Sequence, residues 1–288
     1  MASKPINLFT FHNRTWQANR YVYPVISRRS KGLSIGMNLN PDKICNFDCV
    51  YCSVDRTVPP VDREVDMQVL ADELTQMVGI CASGELWKHE PFNRTPPELK
   101  RINDIAFSGD GEPTSFKEFH AACELAAGVL QHAGLPDVKL VLITNATLFH
   151  RPSVQAALRF LDDHNGEIWA KLDAGSEEYY RTVERTSIPL HRVLDNILSA
   201  GKVRPIVIQS LFMNIHNVPP TEMEIDLYIH RLHDLLNDGC QVKMVQIYTT
   251  ARDTAEKYVT PLANAQVDAI AAKVRGIGLR CEAFYGPS

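Results

Sequence analysis

Three cysteines stand inside one short window, Cys45-Asn-Phe-Asp-Cys49-Val-Tyr-Cys52, in a C-x3-C-x2-C spacing. Sulfur ligands this close reach one metal centre only if the backbone between them curls into a loop. Thiolate sets of this kind suit zinc, copper(I) or an iron–sulfur cluster. A closed zinc site takes four protein ligands, and a fully ligated four-iron cluster takes four thiolates. No fourth donor stands nearby in the chain. The nearest histidines, His12 and His89, lack zinc-finger spacing to the triad, and Cys81, Cys123, Cys240 and Cys281 are scattered. Those four read as small buried hydrophobes, and a second cluster would require the fold to bring them together. A four-iron cluster on Cys45, Cys49 and Cys52 leaves one iron open to a small molecule.

Other polar residues fall where short apolar runs end. Gly109-Asp110-Gly111-Glu112-Pro113 follows one such run, and its glycines let the backbone come close to a ligand. The plainer reading is a strand-to-helix turn with Thr114 or Ser115 as cap. Thr144-Asn145 closes the next run, either as a ligand contact or as a plain turn. Lys171 and Asp173, two apart at a strand end, point to one side, as ligand contacts or as a structural ion pair. Gln209 and Ser210 interrupt an otherwise apolar strand, where buried polar groups need partners. One of the two is expected to face the site. Gln246 and the Tyr248-to-Arg252 strand end are similar candidates, with Arg252 suited to an anionic group.

The elements that must position these residues alternate. Strands are predicted at 33–39, 102–107, 138–144, 167–172, 206–213 and 242–248, with helices at 65–81, 116–131, 154–161, 177–183, 190–200, 222–236 and 267–274. Residues 83–100, rich in Pro, Gly and charge, read as a loop, and 279–285 as an edge strand. Strand and helix in strict succession imply a parallel sheet wrapped by helices, and the repeated units are fewer than the eight of a closed barrel. The expected fold is α/β, an open (β/α)6 partial TIM barrel, with residues 1–31 an extended lead-in and 32–288 the core domain. The cysteine loop then follows the first strand, on the face where such barrels place their chemistry.

At 288 residues with 45% hydrophobic and 22% charged residues, the chain is globular rather than disordered or collagen-like. A net charge of −4 gives no global attraction to nucleic acid. RNA binding would need a local patch such as Arg14, Arg20, Arg28, Arg29 and Lys31, which reads equally as a solvated segment. No apolar run approaches a membrane span and no leader pattern opens the chain, so a cytoplasmic protein without membrane contact is expected.

The C-x3-C-x2-C motif with an aromatic residue, Tyr51, before its last cysteine resembles the signature of the radical S-adenosylmethionine (SAM) superfamily. Gly109–Pro113, written G-D-G-E-P, is similar to that family's GGE stretch, from which Asp110 departs. Residues 20–53, which include YVYPVISRRSKGLSIGMNLNPDKICNFDCVYC, resemble a stand-alone branch related to the wyosine-tRNA synthetases. The resemblance implies a 4Fe-4S cluster on Cys45, Cys49 and Cys52 whose open iron chelates SAM. Reductive cleavage would then give a 5′-deoxyadenosyl radical that abstracts hydrogen, the electron coming from a ferredoxin or flavodoxin. It further implies that Tyr51 lies near the adenine, that Gly109–Pro113 meet the methionyl ammonium, and that Thr144 and Asn145 touch the ribose or carboxylate. Lys171, Asp173 and Gln209 stand as further cofactor contacts. Residues 1–44 hold no cysteine, so the cysteines that the wyosine enzymes use for a second cluster upstream of the triad are not found there. An RNA base or a small metabolite remains open as substrate, and no catalytic residue is singled out. The rival readings are a non-catalytic iron–sulfur electron carrier or sensor, and a zinc-stabilised RNA-binding module.

Overall fold

Short apolar runs alternating with amphipathic stretches become strands alternating with helices. The computed structural model describes residues 16–286. In chain order its elements are β1 (Val22–Ser27), β2 (Gly32–Met37), α1 (Met67–Ala82), β3 (Ile102–Phe107), α2 (Phe119–His132), β4 (Lys139–Thr144), α3 (Pro152–Asp162) and β5 (Gly166–Lys171). There follow α4 (Glu177–Glu184), α5 (Leu190–Val203), β6 (Ile206–Leu211), β7 (Met213–Ile215), α6 (Glu222–Asn237), β8 (Val242–Tyr248), β9 (Val259–Pro261), α7 (Asn264–Gly276) and β10 (Cys281–Phe284). The chain forms two compact units. One takes residues up to Ile44, Pro60–Leu142 and Ala156–Glu167; the other takes Cys45–Pro59, Ile143–Gln155 and Ile168 onward.

In the first unit β2, β3 and β4 run parallel, and β1 pairs antiparallel with β2 from Val22↔Met37 to Ser27↔Gly32. Strand β1 was not expected within the 1–31 lead-in, because what fixes it lies far along the chain. The buried Glu73 carboxylate accepts hydrogen bonds from the backbone N–H groups of Arg20 (2.7 Å), Tyr21 (2.8 Å) and Val22 (3.1 Å). Glu73 sits in the otherwise apolar stripe of α1, beside buried Leu70, Leu74, Met77, Val78 and Cys81. Burying each large apolar side chain contributes roughly 1.5–3 kcal/mol. Asp66 caps that helix by accepting from Gln68 N and Val69 N. The earlier part of the lead-in, with His12 and Arg14, lies outside the described residues. Residues 83–100 form a loop with three single-turn 3-10 helices.

In the second unit β5, β6, β8 and β10 are all parallel, in that order, so the edge strand expected near 279–285 is present. The strand predicted over 206–213 is broken. At its end Leu211 N donates to Asp173 Oδ1 and Phe212 N to the Tyr248 carbonyl, after which β7 pairs with the unanticipated three-residue β9. Ser210 turns toward the helices, its hydroxyl 2.6 Å from the Tyr228 hydroxyl of α6. Gln209 and Leu211, one position either side, therefore lie on the opposite, inner face. Cys81, Cys123, Cys240 and Cys281 are all buried, as read from their scatter. No helix among the described residues is long and apolar enough to cross a membrane.

Candidate metal centre and its surroundings

Within the second unit the cysteine loop is pinned from several directions. Asp48 N donates to the Glu184 carbonyl (3.0 Å) and Val50 N to the Val183 carbonyl (2.8 Å), so the loop pairs with the last turn of α4. That helix ends on Arg185 in the left-handed region (φ 45°, ψ 50°), whose Nε donates to the Asp48 carbonyl at 2.6 Å. Thr186 Oγ1 donates to the Asn46 carbonyl at 2.9 Å. The Asn46 side chain meets Asn145 and Thr147, each at 2.7 Å, and Ala255 N donates to the Cys52 carbonyl at 3.0 Å. Beneath the loop Val50 packs with Val183, Leu211, Met213 and Tyr248.

A chain of buried polar contacts runs from the loop to the inner face. Cys49 Sγ lies 2.6 Å from Glu184 Oε2, and the Tyr51 hydroxyl donates to Asp173 Oδ2 at 2.6 Å. Asp173 pairs with Lys171 at 3.0 Å, and Lys171 Nζ donates to the Tyr248 hydroxyl at 2.8 Å. The same ammonium stands over the Tyr51 ring (4.7 Å) and the Tyr248 ring (5.2 Å). Burial pushes the Cys49 thiol well up, and the Glu184 carboxylate pushes it further. Burial and then Asp173 do the same to the Tyr51 hydroxyl and to the Glu184 carboxyl. Burial pulls the Lys171 ammonium down, but Asp173, Tyr248 and Glu184 outweigh it and hold it charged. Lys171 and Asp173 thus form the ion pair that the structural reading of the sequence expected, on the inner side of the strand end.

Does the loop suit a cluster? All three cysteines are outside disulfides and half-buried. Donors already face two of the sulfurs: Phe47 N lies 3.5 Å from Cys45 Sγ, and Arg56 Nη1 lies 3.5 Å from Cys52 Sγ. Such N–H···S contacts are what an anionic iron–sulfur cluster draws from its surroundings. Among the described residues no three His, Cys, Asp or Glu side chains are gathered as a ready metal cage. Cys49 is turned onto Glu184 and Cys52 onto Arg56. The donor set fits the cluster on its chemistry: three thiols on one anchored loop, with N–H groups directed at sulfur.

Across the second unit's sheet Lys171, Gln209, Gln246 and Glu282 stand in register, one per strand. Gln209 Nε2 donates to Gln246 Oε1 at 2.7 Å. Among the described residues Gln209 Oε1 and Gln246 Nε2 have no partner, although both residues are fully buried. Thr144 Oγ1 accepts from Ala146 N, while Asn145 Oδ1 accepts from the backbone and hydroxyl of Thr147. Asn145 therefore holds the turn and, through Asn46, the cysteine loop.

In the first unit Gly109–Pro113 lies against the end of β2. A Cβ at Gly109 would fall 2.2 Å from Asn38 Oδ1, and one at Gly111 2.1 Å from the carbonyl oxygen of Ile44, the residue preceding Cys45. Asp110 is clasped by Asn38 through its backbone N–H (3.0 Å) and its carboxylate (2.7 Å). Buried Glu112 accepts from the backbone N–H (3.1 Å) and hydroxyl (2.5 Å) of Thr114. The cap expected of Thr114 or Ser115 thus falls to Glu112, because Pro113 opens the turn directly after it. Glu184, Arg185, Arg56 and Asn46 went unread in the sequence. Asn46 and Arg56, inside or just after the cysteine motif, gave the one local signal; Glu184 and Arg185 meet the loop only through the fold.

No protein-family model matches the chain. It is 27% identical over 184 residues to a UPF0026 protein of Helicobacter pylori, covering 62% of this chain and 51% of that protein. It is 26% identical over 240 residues to a UPF0026 protein of Methanocaldococcus jannaschii, covering 83% and 65%. The chain spans about half to two thirds of the length of these curated relatives. Among solved structures, Streptococcus suis SuiB bound to S-adenosylmethionine matches with a TM-score of 0.58 at 11% identity, over 89% of this chain and 52% of SuiB. That likeness shows the fold alone, in agreement with the α/β class expected from the sequence.

Proposed function

We propose that the chain is a radical SAM enzyme acting on an RNA base or a small metabolite. The observation that carries the reading is the loop itself: three cysteines outside any disulfide, on a loop pinned by α4, Asn145 and Ala255, in an α/β fold like that of SuiB. Cys45, Cys49 and Cys52 would hold a 4Fe-4S cluster. With SAM bound, such a cluster supplies one electron to the sulfonium and releases a 5′-deoxyadenosyl radical that takes a hydrogen atom from substrate. Around it this chain's residues bind, orient and exclude water. Lys171, held charged between two tyrosine rings, offers a cation to a carboxylate, and Asp173 fixes its position. Gln209 and Gln246 offer an open acceptor and an open donor. Tyr51, Thr144 and Asn145 are kept as SAM contacts, and so are Gly109–Pro113 for the methionyl ammonium. The electron donor is a ferredoxin or flavodoxin-like carrier.

Anaerobic reconstitution with iron and sulfide, followed by dithionite and SAM, tests the reading. The wild-type protein yields 5′-deoxyadenosine, and Cys49→Ala loses both cluster absorbance and product. An electron carrier would bind the cluster without cleaving SAM; a zinc-stabilised RNA-binding module would hold zinc without acid-labile sulfide. Full SAM cleavage by Cys49→Ala would refute the assignment.

A further inference from the structure

We infer that Arg56 is an electrostatic positioning residue, its guanidinium held against Cys52 Sγ so that a cluster on the loop is easier to reduce. The inference rests on the radical SAM reading and adds a determinant of its redox step. Arg56 comes four residues after Cys52, and a local turn folds it back. Asp55 Oδ1 accepts from Thr57 N at 2.9 Å and from Thr57 Oγ1 at 2.6 Å. The guanidinium then lies 3.5 Å from Cys52 Sγ with its side chain 27% exposed, shielded enough for its charge to be felt.

The Asp48 carboxylate, which also reaches it, is largely taken. Asp48 lies 3.9 Å from Arg56 but only 3.0 Å from Arg185, whose Nε also holds the Asp48 carbonyl. Asp48 is thus held more closely by Arg185 than by Arg56. Reduction adds one negative charge to a cluster. A cation and an N–H donor at a ligand sulfur favour the more negative state, so they raise the potential. A lysine keeps the charge without the planar pair of donors and reproduces the effect only in part.

The test is an anaerobic redox titration of the reconstituted full chain, followed by electron paramagnetic resonance of the reduced cluster. Arg56→Ala, at wild-type iron and sulfide content, is expected to shift the reduction equilibrium at least tenfold against the reduced form, a fall of about 59 mV for a one-electron couple. Arg56→Lys falls by less, and Asp48→Asn moves the midpoint upward, a reversal of sign that a merely structural role would not produce. A cluster-bearing Arg56→Ala protein with an unshifted midpoint overturns the inference. If Arg56→Ala retains no cluster, unshifted midpoints in both Arg56→Lys and Asp48→Asn overturn it instead. A wild-type chain that takes up no iron and sulfide refutes the radical SAM reading itself, and this inference with it.

Discussion

Replacing Asp173 by asparagine strikes the point where the inner-face contacts converge. Its carboxylate is fully buried and takes hydrogen bonds from Leu211 N (2.7 Å) and the Tyr51 hydroxyl (2.6 Å), besides the ion pair with Lys171 (3.0 Å). The Lys171 side chain is 15% exposed, so its ammonium has little water to turn to. Removing one partner of a buried pair costs about 3–5 kcal/mol, chiefly because the other charge stays behind uncompensated. The asparagine oxygen still serves Leu211 N, but its NH2 would face two donors, so the lower part of that range is expected, about 3 kcal/mol. Lys171→Met leaves Asp173 its two remaining donors and should cost less, about 2 kcal/mol. Removing both partners removes the mismatch, and the double variant should be less destabilised than the sum by about 2 kcal/mol.

The assay is equilibrium urea unfolding of the metal-free protein, with transitions followed by two probes to establish that they coincide. The pH dependence has a definite sign. Lys171 is raised in the folded state, so its contribution is complete below the unfolded value of about 10.4 and is lost only as pH climbs through the higher folded one. The gap between wild type and Lys171→Met should therefore stay constant from pH 7 to 9 and close above pH ~10. An Asp173→Asn loss below about 1 kcal/mol, or a coupling near zero, would show that the ammonium is solvated and that the network is not what orders the strand end.

The paired glutamines should give effects of opposite sign. Gln209→Leu alone strands another atom of Gln246 and destabilises, whereas Gln209→Leu with Gln246→Leu removes both unpartnered atoms and stabilises by about 1–3 kcal/mol; a double variant less stable than the single one, by thermal melting, would contradict this. The same double variant should cleave SAM poorly despite its stability. Asp104 in β3 is buried and bonded to Ser34 at 2.5 Å, and its carboxyl is raised by burial despite that hydrogen bond. A raised carboxyl favours folding below the unfolded value near 3.9 and loses that contribution as pH rises through the folded value. Asp104→Asn should accordingly raise the melting temperature at pH 7 and leave it unchanged at pH 4; equal destabilisation at both would mean that Ser34 requires the carboxylate.

What the sequence revealed and what it hid follow from the range of the forces involved. The parallel strands were legible because each is an apolar run buried on two faces, and α1 because Leu70, Leu74, Met77 and Val78 recur on one face. The cysteine triad was legible because Cys45, Cys49 and Cys52 are close neighbours in the chain. Strand β1 was hidden because Glu73, which organises its entry, lies about fifty residues on and looks like an ordinary helix carboxylate. The break after Leu211 was hidden for the same reason, since the Asp173 carboxylate that draws in Leu211 N belongs to another strand. Asn145 was read as a possible ligand contact, yet its side chain grips Asn46 and Thr147 across the fold. Local periodicity carries no record of such pairings.

The placement of the polar groups separates structural from functional burial. On the helix-facing side of β6 the Ser210 hydroxyl has Tyr228, and on α6 the buried Glu224 accepts from Gly175 N, Ser176 N and the Ser176 hydroxyl. These groups are satisfied, as packing demands. One residue away on the inner face, Gln209 and Gln246 keep an acceptor and a donor open, and Lys171, with only 15% of its side chain exposed, keeps a charge that needs Asp173 as its partner. A fold selected for stability alone would fill those positions with leucine or valine, as it does elsewhere along β6. That the departure falls on the face shared with Tyr51 and the cysteine loop is what the proposed site for a polar ligand requires, and under that proposal recognition of the ligand falls to β5, β6 and β8.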